Sequence, residues 1–139
     1  MWALLLLLSL RIEPVDLYSE TARTAVREQV RRACQAVDAD SIGPAWVRHF
    51  QKLGASTDGK QAYVGFLKDR YGYTITRFNE AYGVDFQSFT DLETFTFDGV
   101  DANRPAPNGD SREFIAALRE IAARVSAEGL RGCGGAPKR

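Results

Sequence analysis

Histidine is nearly absent from this chain. His49 is the only one in 139 residues, which excludes a histidine-rich metal centre within a single copy. An excess of either charge is also missing. Lys+Arg and Asp+Glu each total 18, so no electrostatic argument favours DNA, RNA or an anionic membrane as partner. Cysteine occurs twice, at Cys34 and Cys133. The two could pair, but their spacing fits neither a disulfide framework nor a metal knuckle. The expectation is a small buried thiol in a helix and a free thiol in a glycine-rich tail. No glycine-rich phosphate loop or nucleophile elbow occurs, and the glycines at 132–135 have no strand before them. Asp98, Asp101 and Asn103 invite calcium, yet the EF-hand pattern is not met, because Arg104-Pro105 follows Asn103. No repeat of solenoid period is present. No cofactor and no metal are expected.

Long apolar runs are scarce as well. The one candidate, Leu4–Leu8 with Leu10, is too short to span a bilayer. No basic residue precedes it and no small-residue cleavage site follows, so a signal or anchor is the second reading. A buried parallel strand ending at Ile12-Glu13-Pro14 is the first, since such strands read as short continuous apolar runs. The balance leans to the cytoplasm over secretion.

What the chain does have is helical periodicity. Apolar residues make up 45% of a length that suits one domain. Ala22, Val26, Val30, Ala33 and Val37 recur at steps of three and four, predicting a helix over 17–37 with Arg23, Arg27 and Arg31 on its solvated face. Glu20–Arg23 is an attractive neighbour pair there and Arg27–Arg31 a repulsive one. Gly43-Pro44 breaks the pattern and opens a short helix through Trp46, Val47, Phe50 and Leu53 to Gly54. Thr57 or Asp58 caps the next helix, whose stripe is Ala62, Tyr63, Phe66, Leu67 and Tyr71, with Gly72 as a left-handed stop. A helix over about 74–82 follows, stopped by Gly83, so that the two form a corner. Residues 84–100 read as a packed loop with a short extended piece at 94–97, and residues 98–109 as a loop. Asp110 and Glu113 have capping-box spacing at the head of a last helix carrying Phe114, Leu118, Ile121 and Val125 and ending at Gly129.

The corner carries a distinctive pattern. Arg70-Tyr71-Gly72 is followed by Asn79, Ala81, Tyr82 and Gly83, then by Phe86, Ser88, Phe89, Asp91 and Leu92. This stretch, within residues 58–92, resembles a helical segment of β-galactosidase- and agarase-like glycoside hydrolases of the family 42 type. Residues 17–37 and 110–128 match more weakly, as flanking helices. The resemblance implies a (β/α)₈ barrel bearing two carboxylates on strand ends. One would protonate the leaving oxygen, and the other would attack the anomeric carbon or activate water. It places the strand of the acid between the 17–37 helix and residue 58. There the chain reads DADSIGPAWVRHFQKLGAS, with no apolar strand, no Asn-Glu or Asp-Glu pair, and only Asp38 and Asp40 as acids. A barrel also needs about 250 residues.

The expected fold is therefore mainly α, four to five helices with at most one or two short strands, resembling a fragment of that barrel. Residues 1–16 form its apolar N-terminal segment, 17–128 the helical domain and 129–139 a disordered tail. The expected function is a glycoside hydrolase-like partial domain lacking both catalytic carboxylates. The alternative is a small helical module that binds protein or carbohydrate through its aromatic-rich 82–97 region. No catalytic residue is assigned. Trp46 and His49 are the candidate substrate-binding residues, because an aromatic ring offers a flat platform to a sugar and the two lie a helical turn apart. The expected partners are carbohydrate and, through exposed apolar faces, a second copy of the chain.

Overall fold

The fold is known from a computed structural model, which describes residues 9–94 and 109–133. Among these residues it is mainly helical, with five α-helices and two short strands. Strand β1 (Ser9–Leu10) pairs in parallel with β2 (Ala36–Val37), Ser9 opposite Ala36 and Leu10 opposite Val37. The crossover between them is helix α1 (Glu20–Ala33), so the chain opens with a β-α-β unit. A short 3₁₀ turn (Ala39–Ser41) leads to α2 (Pro44–Gln51), α3 (Asp58–Arg70) and α4 (Ile75–Tyr82). A second 3₁₀ turn (Phe89–Glu93) precedes the long α5 (Asp110–Arg131).

Helix α1 is shorter than its periodicity predicts. Cys34 adopts a left-handed conformation (φ 50°) and stops the helix, releasing Ala36 and Val37 into β2. Val37 is buried as expected, but as a strand residue whose N–H donates to Ser126 Oγ at 2.8 Å. A two-residue strand is too short to show alternation, so a helical spacing absorbed it. The expected Arg27–Arg31 repulsion is relieved. Arg27 pairs with Glu20 at 2.6 Å and with Glu128 at 2.9 Å, while Arg31 pairs with Glu28. Glu20 and Arg23 pair as read, at 2.8 Å.

Several ends form as the sequence implies. Pro44 stands in the first turn of α2, and Thr57 Oγ1 accepts from Lys60 N at 3.1 Å to cap α3. Asp16 adds a cap from far along the chain: its Oδ2 accepts from Gly59 N at 2.8 Å. A side chain at Gly59 would meet the Asp16 carboxylate carbon at 2.6 Å, so that approach requires glycine. Lys60, itself buried, donates from Nζ to the Gln51 carbonyl at 2.5 Å and so closes the end of α2.

Phe114 is the hub of the core. It is fully buried on α5, with ring centroids of Tyr63 at 4.8 Å, Phe50 and Phe66 at 5.3 Å, and Tyr18 at 6.1 Å. Behind it α5 lies along α1. Gly129, expected to end α5, lies inside it and is buried. An added Cβ there would sit 2.7 Å from Val30 Cβ and 2.8 Å from the Arg27 carbonyl oxygen. The glycine is a close approach between helices, not a stop, and α5 runs on to Arg131.

Beyond it Cys133 is disulfide-bonded to Cys34, with Cα atoms 5.5 Å apart. This corrects the expectation of a buried thiol and a free one, because Cys34 is exposed and neither sulfur is free. The packing of α1 on α5 brings together residues that are 99 apart in sequence. Closing a loop of that length removes about 4–5 kcal/mol of unfolded-chain entropy on the chain-entropy account. The expected tail boundary at 129 moves accordingly, and residues 134–139 lie outside the described part. So do Leu4–Leu8, Phe95–Phe97 of the expected extended piece, and the 98–108 loop.

Gly129→Ala tests the close approach. At a solvated position inside a helix, alanine would gain about 1 kcal/mol from its propensity. The close approach to Val30 predicts a net loss of about 1–2 kcal/mol, read as a lower urea midpoint at unchanged slope.

Candidate functional site

The corner pattern has a physical centre, and it is Asp110. Helix α3 ends at Arg70, after which Gly72 (φ 63°) and Tyr73 (φ 61°) both turn left-handed. Helix α4 ends at Gly83 (φ 71°), whose N–H donates to the Asn79 carbonyl at 2.8 Å. The two reversals set Tyr71 and Tyr82 face to edge, 6.1 Å apart, both packed on Phe78. Their hydroxyls each donate to Asp110 Oδ2 at 2.6 Å. Arg70 Nε donates to Oδ1 at 2.5 Å while its guanidinium lies over the Phe66 ring. Asp110 is 1% exposed.

Asp110 is the first residue of α5, following Gly109, where unpaired N–H groups and the helix dipole favour an anion. The capping box expected of Asp110 and Glu113 does not form. Gly109 takes the cap position, and the Asp110 side chain turns inward to the tyrosines instead of back to its own helix. Burial, the nearby Tyr63 hydroxyl and the Asp110 carboxylate together push the Tyr82 hydroxyl far above the ordinary tyrosine range, so it stays a donor.

Asn79 ties the corner to the chain that follows it. Its Nδ2 donates to the Phe86 carbonyl at 2.8 Å and its Oδ1 accepts from Phe86 N at 3.0 Å. The side chain thus pairs like a strand with the backbone beyond the turn. Phe89 and Leu92 then fold back into the core on a 3₁₀ turn, where the sequence reading had only a packed loop. Tyr82, Phe89 and Leu92 are buried and Phe86 half-buried, so the aromatic rings in the described part of the 82–97 region pack into the core.

Trp46 is 2% exposed, which corrects its reading as a sugar platform: no face of the indole is open. The spacing that suggested a platform comes from the inward face of α2. His49 is half-exposed on the same helix, beside Phe50 at 5.9 Å. Shallow clefts lie elsewhere among the described residues. One, of about 260 Å³, lies between α1 and α5 and includes Tyr18, Arg27, Arg124 and Glu128. Another, of about 290 Å³, lies along α1 beside Ile12 and Val15. Neither is lined by Trp46, His49 or Asp110. Among the described residues no three His, Cys, Asp or Glu side chains cluster as metal ligands, and the calcium-like Asp98, Asp101 and Asn103 lie outside them.

Chemically, Asp110 is poorly suited to act as acid, base or nucleophile. Both oxygens are already occupied by donors, and solvent does not reach it. It is also the one buried carboxylate among the described residues, whereas glycoside cleavage needs a pair about 5–9 Å apart. One signal in the sequence did point here. Two tyrosines before two helix-ending glycines are buried rings with hydroxyls that need an acceptor. Comparison with known family models, with characterised proteins and with solved structures finds no match for this chain.

Removing the acceptor should be costly. Asp110→Ala takes the shared acceptor from two buried hydroxyls and the Arg70 guanidinium and is expected to lose about 3–5 kcal/mol, measurable by chemical denaturation. Tyr82→Phe is expected to lose about 1.5–3 kcal/mol. Because folding raises the Tyr82 pKa, its contribution is complete below the ordinary value of 10.0 and is lost as pH rises beyond it. Lys60, whose ammonium is disfavoured by burial, acts in the opposite sense just below its ordinary 10.5. An alkaline unfolding limb above about pH 10 is expected, shallower in Tyr82→Phe. An identical limb in the variant would count against Tyr82 as its source.

Proposed function

We propose that this chain is a glycoside hydrolase-like domain of the agarase and β-galactosidase type, a partial one that keeps scaffold and lacks the catalytic pair. The observation that carries the reading is the convergence of Arg70, Tyr71 and Tyr82 on Asp110. The residues that give the corner its resemblance are those that lock two helices to a third, which is a scaffold role. The opening β-α-β unit supports it too, since a parallel strand pair with a helical crossover is the repeating step of such barrels.

The absence of chemistry rests on two further observations. Residues 38–57, where the acid's strand would stand, form a 3₁₀ turn, helix α2 and loop. The buried carboxylate that remains is saturated by its three donors. Galactosides and agar-derived oligosaccharides are the substrate class of the proposed ancestry. Self-association, the other partner reading, has little surface to use in the described part, where Tyr73 and Leu130 are the large exposed hydrophobics.

Hydrolysis of aryl galactosides and agaro-oligosaccharides by the purified chain is expected to stay at the buffer control. Turnover of about 1 s⁻¹ or more, an ordinary enzyme rate, co-eluting with the protein would overturn the inactive reading and require a carboxylate pair elsewhere in the chain.

A further inference from the structure

Two helix ends meet at the crosslink. Cys34 caps the C-terminus of α1, and Cys133 follows Gly132, which caps the C-terminus of α5. Both sulfurs therefore lie at the negative ends of helix dipoles. Cys34 Sγ is also 3.6 Å from the Arg31 carbonyl oxygen, a further partial negative charge. Of the cations at these helix ends, Arg31 and Arg32 are both paired with Glu28, and Arg131 stands in the last turn of α5. Thiols that exchange readily have the reverse setting, a helix N-terminus or an available cation that stabilises the thiolate and makes the disulfide easy to open. Here opening the bond would create a thiolate where charge of that sign is least welcome.

The backbone argues the same way. At φ 50° Cys34 occupies a left-handed position that glycine or asparagine takes with least strain. The bond also makes use of both cysteines of the chain.

We propose that Cys34–Cys133 is a permanent staple, made once during maturation in an oxidising compartment, and not a couple that opens and closes. The exposed Cys34 thiolate attacks a donor disulfide, forming a mixed disulfide and expelling one donor thiolate. The Cys133 thiolate then attacks the Cys34 sulfur and expels the second. The chain loses two electrons and two protons, and the donor, a protein or glutathione disulfide, is reduced to two thiols.

Three measurements test this. Alkylation of free thiols in living cells that make the chain, read as a mass shift, should find neither cysteine modified; two free thiols at steady state would overturn the proposal. Purified oxidised protein in millimolar glutathione should keep its bond at about a 100-fold excess of the reduced form. Half-reduction near equal amounts of the two forms, with helix content unchanged, would mark an exchanging couple and overturn it. In Cys133→Ser, the alkylation rate of Cys34 should rise with a midpoint above the ordinary thiol value of about 8.5; a midpoint at or below it would overturn the electrostatic argument. The first two measurements use the native chain and stand even if that variant fails to fold.

Discussion

Burying a carboxylate costs several kcal/mol unless donors replace the water it gives up. Asp110 meets that condition with three side chains from one corner: Arg70 on one oxygen, Tyr71 and Tyr82 on the other. The cost of breaking the set is what gives it structural authority. If α4 swings away, a tyrosine hydroxyl and a carboxylate lose each other inside the protein. If α5 slides by a turn, all three donors do. The corner glycines and the stacked Phe78 and Tyr82 rings follow from the same requirement, since they aim the hydroxyls.

Helix α5 is held at both ends by different means. Its N-terminus is fixed by hydrogen bonds to a charge, its C-terminus by a covalent bond to the end of α1. Between them, along 22 residues and about 33 Å, Phe114 gathers the aromatic core and Gly129 lets α1 come close. Arg119 donates to the Ile42 carbonyl at 2.9 Å and Ser126 accepts from β2, so α5 also anchors the strand pair. The other elements are arranged around this one helix, and hydrophobic burial acts through contacts that the two end clamps keep in register.

Legibility varied with the range of the interaction. The helix ends at Gly83 and Thr57 and the first turn at Pro44 depend on residues a few positions apart, and the reading placed them correctly. Asn79 and its partner Phe86 are seven positions apart, within the same short range. Misreadings came where a residue's partner is remote. Val37 kept helical spacing, yet it pairs with a strand 27 residues earlier in the register Leu10 to Val37. Gly129 looked like a stop because its neighbour Val30 belongs to another helix. Trp46 looked available because no local pattern states which side of α2 is covered.

The sequence by itself determined a mainly helical chain, the two-glycine corner and too few histidines for a histidine-rich metal site within one copy. Each of these rests on residue type, count or short spacing, which the chain carries whatever its tertiary state. Only the tertiary structure decided that Asp110 is an acceptor and not a cap, that the two cysteines are one bond, and that Trp46 is core. The first two outcomes depend on groups 28 to 99 positions apart being brought within bonding distance. No spacing rule reaches that far, because the distance between such groups is set by how α5 packs on α1 and on the corner.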